Sequence, residues 1–282
     1  MLALLAATFF SSGFGLVLRS AMNHRCNPWA MGVVNYIAAT AFQLGRHAAS
    51  GASWQIEPVT LAMGSAVGVL YAINLSLFVP LLGRRGVSIP SAMSRLAVVM
   101  PMLAALVLWG ERVTTTQSTG ALLSLIALPL LTLSPAKPAE GRTRLDGSTA
   151  LLLLALLLGN GLSMVITKAY ERTGTGQQAL FLASLFGAAI FVSAVAWWRH
   201  RQSTTRRDIL PGVALGMTNT LANTGLVAAL SNLPAILVFP FYSAVGLVIT
   251  AILARLLFGE SITGSERAGI GVAVLAVALA NL

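Results

Sequence analysis

Charged residues and cysteines are scarce in this chain of 282 residues. Asp, Glu, Lys and Arg together make up 9% of the sequence, whereas a soluble domain has about 25%. Because so little charge cannot cover a water-exposed surface, a soluble enzyme and an acidic or low-complexity disordered protein are both excluded. The single cysteine, Cys26, allows neither an internal disulfide nor a cysteine-based metal cluster.

Acidic residues are the rarer charged type, with 8 Asp and Glu against 18 Lys and Arg. A basic balance can indicate nucleic-acid binding. Here, however, the basic residues form short clusters between long apolar runs, and no basic stripe is interleaved with aromatic residues. This distribution is typical of the loops of a membrane protein. With hydrophobic residues at 56%, the sequence predicts an integral membrane protein.

Ten apolar segments follow one another along the chain, each close to the roughly 20 residues that span a bilayer as a helix. The first has no basic region before it, so we expect a membrane helix there and not a cleaved signal peptide. Since the connections are short, function must lie in the helices. The predicted spans are 2–21, 28–47, 58–81, 86–108, 115–134, 148–170, 177–198, 209–230, 234–257 and 265–282.

An internal repeat relates the two halves of the chain. A shift of 149 residues brings Leu-Trp-Gly-Glu at 108–111 onto Leu-Phe-Gly-Glu at 257–260, and Asn74 onto Asn223. Because five helices is an odd number, the second copy must enter the membrane inverted, as in alternating-access transporters whose substrate site lies near the midplane. We therefore predict an all-α integral membrane protein made of two inverted five-helix repeats. Their predicted bounds are 1–134 and 148–282, joined by a linker over 135–147.

The first Gly-Glu pair is followed by a signal for the start of a helix. Thr114-x-x-Gln117 is a capping box, and Gly110 is suited to end the preceding helix in a left-handed conformation. The same pattern recurs over 259–266. These features favour a tight structural turn, in which Glu111 and Glu260 each lie near the N-terminus of the helix that follows. A role for the paired glutamates in gating or coupling is the alternative.

The ten helices, the two halves and the paired Gly-Glu turns resemble the drug/metabolite transporter superfamily, in its ten-helix EamA-type branch. The resemblance covers nearly the whole chain. It implies a multi-pass carrier of small metabolites in the plasma (inner) membrane, commonly an exporter of amino acids, and it suggests the exporters of aromatic and other neutral amino acids. Such a motif identifies the scaffold better than the substrate.

Arg95 is a basic residue well inside a predicted span. A charge at the bilayer centre costs ~3 kcal/mol on insertion scales, and no Asp or Glu lies at comparable depth. The repeat counterpart of Arg95 is Ala244, so the scaffold itself does not require the charge. We expect Arg95 to face a substrate carboxylate. The alternative is a structural arginine bonded to backbone carbonyls or water.

Polar and aromatic residues also mark the third, fourth, eighth and ninth spans. Two polar stripes from symmetry-related helices outline a cavity, although such residues also form interhelical hydrogen bonds. Prolines in the fourth and ninth spans predict hinges, because proline removes a backbone hydrogen bond. The predicted substrate-binding residues are Tyr71, Asn74, Phe78, Ser91, Arg95, Asn219, Asn223, Phe239 and Tyr242, and the predicted hinges are Pro90, Pro101 and Pro240.

The other basic residues bear on orientation. Most of the 18 lie in the odd-numbered connections, which the positive-inside rule places in the cytoplasm, with both termini outside. The resemblance implies the reverse. Arg19 and Lys168 occur late in the first and sixth spans, where we expect their long stems to reach the membrane interface.

The leading hypothesis is a secondary carrier that exports aromatic or neutral amino acids by alternating access. One alternative is a carrier of phosphorylated or nucleotide-linked metabolites, which a single deep cation favours less. The other is a membrane enzyme or scaffold, for which no catalytic or nucleotide-binding pattern is present. We expect a small-molecule substrate and the bilayer as partners, a monomer or homodimer, and no nucleic acid, cofactor or metal. Without a deep carboxylate or histidine, we expect no obligatory proton relay.

Overall fold

The computed structural model describes residues 1–24, 26–85, 88–112, 114–132, 147–200, 205–258 and 264–280. Within these ranges the chain forms eleven α-helices and a short 3₁₀ turn (Arg206–Asp208), with no strand, so the all-α prediction is confirmed. The helices are α1 (Leu2–Asn23), α2 (Pro28–Ala49), α3 (Pro58–Arg85), α4 (Ser88–Leu96), α5 (Val99–Val107), α6 (Thr115–Thr132), α7 (Gly147–Glu171), α8 (Gln178–His200), α9 (Ile209–Leu230), α10 (Ala235–Phe258) and α11 (Gly264–Ala280).

Several of these helices are long and apolar enough to cross a membrane. Five candidate spans satisfy both conditions: Pro58–Leu81, Gly147–Glu171, Gln178–His200, Arg206–Leu230 and Ala235–Leu257. Shorter apolar helical stretches occupy Leu2–Leu18, Met93–Val107 and Arg267–Ala276. A multi-pass membrane protein is therefore supported, and the count of ten spans stays a prediction.

The fourth predicted span, 86–108, is not one continuous helix. A buried turn at Ala97 and Val98 separates α4 from α5. Pro101 explains the break, because it has no N–H to donate to the carbonyl of Ala97 and its ring crowds that carbonyl. The N–H of Met100 donates to Ala97 instead, at 3.1 Å, which tightens the chain into a turn. The predicted span 86–108 is therefore divided between two helices, with the break next to Pro101, which the sequence predicts as a hinge.

The chain divides into two compact units that do not follow the sequence repeats. Unit 1 comprises residues 1–76 and 166–232, and unit 2 comprises 77–165 and 233–282. Each unit takes segments from both predicted repeats, and α3 and α7 each contribute to both units. The predicted repeat bounds thus describe a relationship in the sequence and stay a prediction. Nearly all of the predicted linker lies outside the described residues.

Unit 1 is held together by close approaches of helix backbones. A Cβ added at Gly212 would lie 2.7 Å from Cβ of Val34, and one added at Gly216 would lie 2.5 Å from the carbonyl oxygen of Asn35. Both positions face α2, and only glycine permits such proximity. On the other side of α9, a Cβ at Gly225 would lie 2.7 Å from a carbonyl oxygen of α1. Glycine therefore places α9 directly against α1 and α2.

The beginnings of α2 and α9 are tied by one carboxylate. Asp208 Oδ1 accepts a hydrogen bond from the backbone N–H of Asn27 at 2.8 Å, and Asp208 Oδ2 accepts one from the backbone of Thr205 at 2.7 Å. Asn27 in turn caps α2, its Oδ1 accepting from the N–H of Trp29 at 3.0 Å. These bonds fix where the two helices start, and so which of their residues face each other.

Unit 2 contains α4, α5, α6, α10 and α11, with the adjoining parts of α3 and α7. Leu81, Leu153 and Leu156 form an apolar cluster between α3 and α7, and Met93 of α4 packs against it. Gly161 of α7 lies against the side chain of Met100, which comes directly after the break. The interrupted fourth span is thus supported from the side by α7.

Candidate functional site

A chain of hydrogen bonds between uncharged side chains links three helices of unit 1. Tyr71 Oη on α3 donates to Asn223 Oδ1 on α9 at 2.8 Å, and Asn223 Nδ2 donates to Asn219 Oδ1 at 2.9 Å. Asn219 Nδ2 then donates to Asn35 Oδ1 on α2 at 3.3 Å. The structure thus brings together three of the predicted site residues. We refer to Tyr71, Asn223, Asn219 and Asn35 as the amide chain.

A second polar group lies on the adjoining face of α9. Gln43 Nε2 on α2 donates to the hydroxyl oxygens of Thr220 and Thr224, at 2.6 and 2.8 Å. Gln178 Nε2 of α8 donates to the backbone carbonyl of Thr224 at 2.8 Å. The sequence interpretation missed Asn35 and Gln43. The two residues are eight positions apart, which places both on one face of α2. This spacing of polar residues could have identified them from the sequence.

Asn74 differs from the members of the amide chain. It lies on α3, one turn after Tyr71, and is 7% exposed. Neither its Nδ2 nor its Oδ1 has a hydrogen-bond partner among the described residues. Buried side-chain amides are nearly always bonded, so an unbonded one requires an explanation.

Arg95 occupies the last turn of α4 in unit 2, two residues before the break. It is half-buried, and no described residue offers its guanidinium a hydrogen bond or an acidic partner. Tyr242 on α10 lies near it. Asn160 of α7 donates to Ser94 Oγ at 3.4 Å, immediately beside Arg95, and the sequence interpretation missed this contact. The side chain of Ser91 lies outside the described part of the chain.

The two predicted aromatic contact residues lie in apolar surroundings. Phe239 is fully buried, and Phe78 packs against the leucine cluster of unit 2. The predicted hinges Pro90, Pro101 and Pro240 are all buried. Pro240 lies inside the continuous helix α10, whereas Pro101 accompanies the break. Their roles in substrate contact and motion stay predictions.

The Gly-Glu turn has the geometry that the sequence predicts. Gly110 has a φ of 57°, the left-handed conformation expected at the end of a helix. The N–H of Gln117 donates to Thr114 Oγ1 and the N–H of Thr114 donates to Gln117 Oε1, both at 3.2 Å. The first capping box is therefore confirmed. The second pattern begins outside the described residues, which include neither Gly259, Glu260 nor Thr263.

Glu111 interacts with a helix that is distant from it in the sequence. Its Oε2 accepts a hydrogen bond from the N–H of Ile236, the second residue of α10, at 3.4 Å. A carboxylate at this position satisfies a free N–H group and lies at the positive end of the helix dipole. The contact supports the structural interpretation of the turn.

Lys168, which is predicted to reach the membrane interface, is buried in the structure. It is 5% exposed, and its Nζ donates to the carbonyl oxygen of Leu230 at the end of α9, at 3.3 Å. A helix C-terminus carries partial negative charge, which favours an ammonium group there. Lys168 thus bonds to the end of a candidate span, and the expectation that it reaches the membrane interface stays a prediction. The side chain of Arg19 lies outside the described part of the chain.

Comparison with known proteins finds one family profile that matches the second half of the chain and a solved structure that shares the fold of the whole chain. The sequence profile of the EamA-like transporter family matches residues 147–282. A protein of Haemophilus influenzae described as uncharacterized is 26% identical over 164 residues, 58% of this chain and 53% of that protein. The chain thus spans about half the length of that relative. One solved crystal structure superposes on this chain with a TM-score of 0.81 and 18% sequence identity, and the match covers 99% of this chain and 95% of the chain in that structure. At this identity the match shows a shared fold alone.

Proposed function

Because residues 147–282 match the sequence profile of the EamA-like transporter family, we propose that the protein is a secondary transporter that exports neutral or aromatic amino acids. The match supports a multi-pass membrane protein that carries a small molecule across a bilayer. The proposal adds the substrate class, the plasma (inner) membrane as the location and alternating access as the mechanism.

Arg95 carries the proposal. Its guanidinium is half-buried and has no acidic partner among the described residues. A carboxylate binds a guanidinium through two parallel hydrogen bonds, which provides both charge compensation and a fixed orientation. Every amino acid presents one carboxylate, so a single arginine suits this substrate class. A phosphate group, with its larger charge, is better matched by several cations.

The position of Arg95 next to a helix break adds to this argument. Broken helices in transporters expose backbone groups that bind substrate near the midplane. Val98, which precedes α5, makes no side-chain capping bond, and the positive end of the α5 dipole favours an anion there. Both the guanidinium and the helix end would therefore stabilise a carboxylate.

Counterflow across proteoliposomes tests the proposed function. Vesicles containing the purified full chain are loaded with unlabelled amino acid, and entry of the labelled compound is followed without a pH gradient. We expect exchange of neutral or aromatic amino acids, and none of sugar phosphates or nucleotide sugars. Exchange of phosphorylated compounds alone, or no exchange of any of the twenty amino acids, contradicts the proposal. Empty liposomes are the control.

A further inference from the structure

Asn74 and Asn223 are buried to the same degree but are bonded differently. They are 7% and 6% exposed, respectively, and are separated by the repeat offset of 149 residues. Both amide atoms of Asn223 are bonded, Oδ1 to Tyr71 and Nδ2 to Asn219. Both amide atoms of Asn74 lack partners among the described residues. Burial therefore does not explain the difference between the two positions.

An unbonded buried amide is unfavourable, because it has lost its hydrogen bonds to water and gained none in return. Unit 1 bonds its other buried asparagines, Asn27, Asn35 and Asn223. The side chain of Leu, which has the same branching and the same number of heavy atoms as that of Asn, would remove the penalty at position 74. A donor and an acceptor kept in place at such a cost are explained by a partner that is not part of the chain.

We propose that Asn74 binds an uncharged polar group on the side chain of the transported amino acid. Its Nδ2 donates to an acceptor on the substrate and its Oδ1 accepts from a donor, which a carboxamide presents side by side. This inference rests on the proposed function. It narrows the substrate class from neutral amino acids in general to those whose side chain both donates and accepts hydrogen bonds.

The surroundings of Asn74 favour an uncharged partner. Tyr71 precedes it by one turn on the same face of α3 and belongs to the amide chain, whose members are all uncharged. Tyr71 and Leu75 both pack against an apolar cluster that includes Val67, Ala72 and Phe186. In such a setting a neutral amide pair needs no counter-ion, whereas an ionised side chain does.

Glutamine and methionine are the probes that test this inference. Their side chains are unbranched and of similar length, but one ends in a carboxamide and the other in a thioether. A site built to hydrogen-bond a polar group loses affinity for an analogue that leaves the site's own groups unpaired. In the wild-type protein we expect counterflow of glutamine to exceed that of methionine by about tenfold, which corresponds to about 1.4 kcal/mol.

The decisive variant is Asn74→Leu, measured beside Asn223→Leu as the matched control. In Asn74→Leu we expect the ratio of glutamine to methionine flux to fall about tenfold, and the Tm of the substrate-free protein to rise by about 2 °C, because an unpaired amide has been removed. In Asn223→Leu the Tm falls, because Tyr71 and Asn219 lose their partner. Asn74→Ala, which adds no bulk, should lower the flux ratio in the same way.

Each outcome decides the inference. An unchanged flux ratio in both Asn74 variants, while the wild type still carries amino acids, overturns the role of Asn74 and leaves the proposed function intact. A wild-type flux of methionine that exceeds that of glutamine overturns the role of Asn74 as well. A lower Tm for substrate-free Asn74→Leu, equal to that of Asn223→Leu, shows that Asn74 is a packing residue. No amino-acid flux in the wild type contradicts the proposed function itself, and the inference with it.

Discussion

The amide chain of unit 1 and Arg95 of unit 2 are accommodated in different ways. In unit 1, Tyr71, Asn223, Asn219 and Asn35 each bond to the next, so the cost of burying them is offset inside the fold. In unit 2, Arg95 has a charge and no acidic partner among the described residues. A closed set of bonds contributes to stability, whereas an unmatched charge calls for a ligand. Substitutions in the amide chain and at Arg95 should therefore affect different measurements.

The largest effect that we expect is a loss of transport when Arg95 is replaced in Arg95→Ala. Truncating one partner of a buried charge pair costs about 2–5 kcal/mol, so we expect counterflow to fall by at least about 30-fold. Arg95→Lys keeps the charge but loses the two-pronged geometry, and should be partly active at most. Elution of the variants as folded protein in size-exclusion chromatography separates loss of function from loss of structure.

The matched control for this experiment is Arg172→Ala. Arg172 is an exposed arginine that follows the end of α7, so its removal should leave counterflow nearly unchanged. Normal transport by Arg95→Ala with the same substrate preference would show that the guanidinium is structural. The difference between the two units would then disappear.

The second-largest effect that we expect is a loss of stability in Asn219→Leu, which changes a residue in the middle of the amide chain. This change leaves the Nδ2 of Asn223 with one acceptor fewer and removes the donor to Asn35. We expect a loss of about 1–2 kcal/mol in the free energy of unfolding, measured by thermal denaturation in detergent. Thr218→Val is the control, because among the described residues the Thr218 hydroxyl bonds only to carbonyls of its own helix. Equal losses in both variants would contradict a special role for the chain.

The smallest effect is expected for Glu111→Gln. Glutamine still offers an oxygen to the N–H of Ile236 but removes the negative charge at the start of α10. The charge–dipole interaction is worth about 0.3–1 kcal/mol, so Tm should fall slightly and counterflow should persist. If counterflow is lost while Tm is unchanged, Glu111 takes part in gating or coupling and the structural interpretation of the turn is wrong.

The sequence was sufficient where the structure depends on local patterns. The capping box at Thr114 and the left-handed Gly110 follow from residue types at fixed spacing. The face shared by Asn219 and Asn223 follows from helical periodicity. Such features require no knowledge of which helices are neighbours, and they agree with the structure.

The sequence was insufficient where the structure depends on a distant neighbour. Asn35 and Gln43 are isolated polar residues in a mostly apolar helix, and only their contact with α9 distinguishes them. Lys168 is held by a carbonyl of α9 that is 62 residues further along the chain. Proline predicts a disturbed helix, but whether Pro101 bends the helix or interrupts it depends on the packing around it.

The glycine contact between α9 and α2 determines how precisely the amide chain is placed. Gly216 lies against the carbonyl of Asn35, and Asn219, the residue that donates to the side chain of Asn35, is found almost one turn later on the same helix. A methyl group at position 216 would force the helices apart by a distance comparable to the tolerance of a hydrogen bond. The absence of a side chain at this position therefore allows the two backbones to approach closely enough for the hydrogen bond from Asn219 to Asn35 to form.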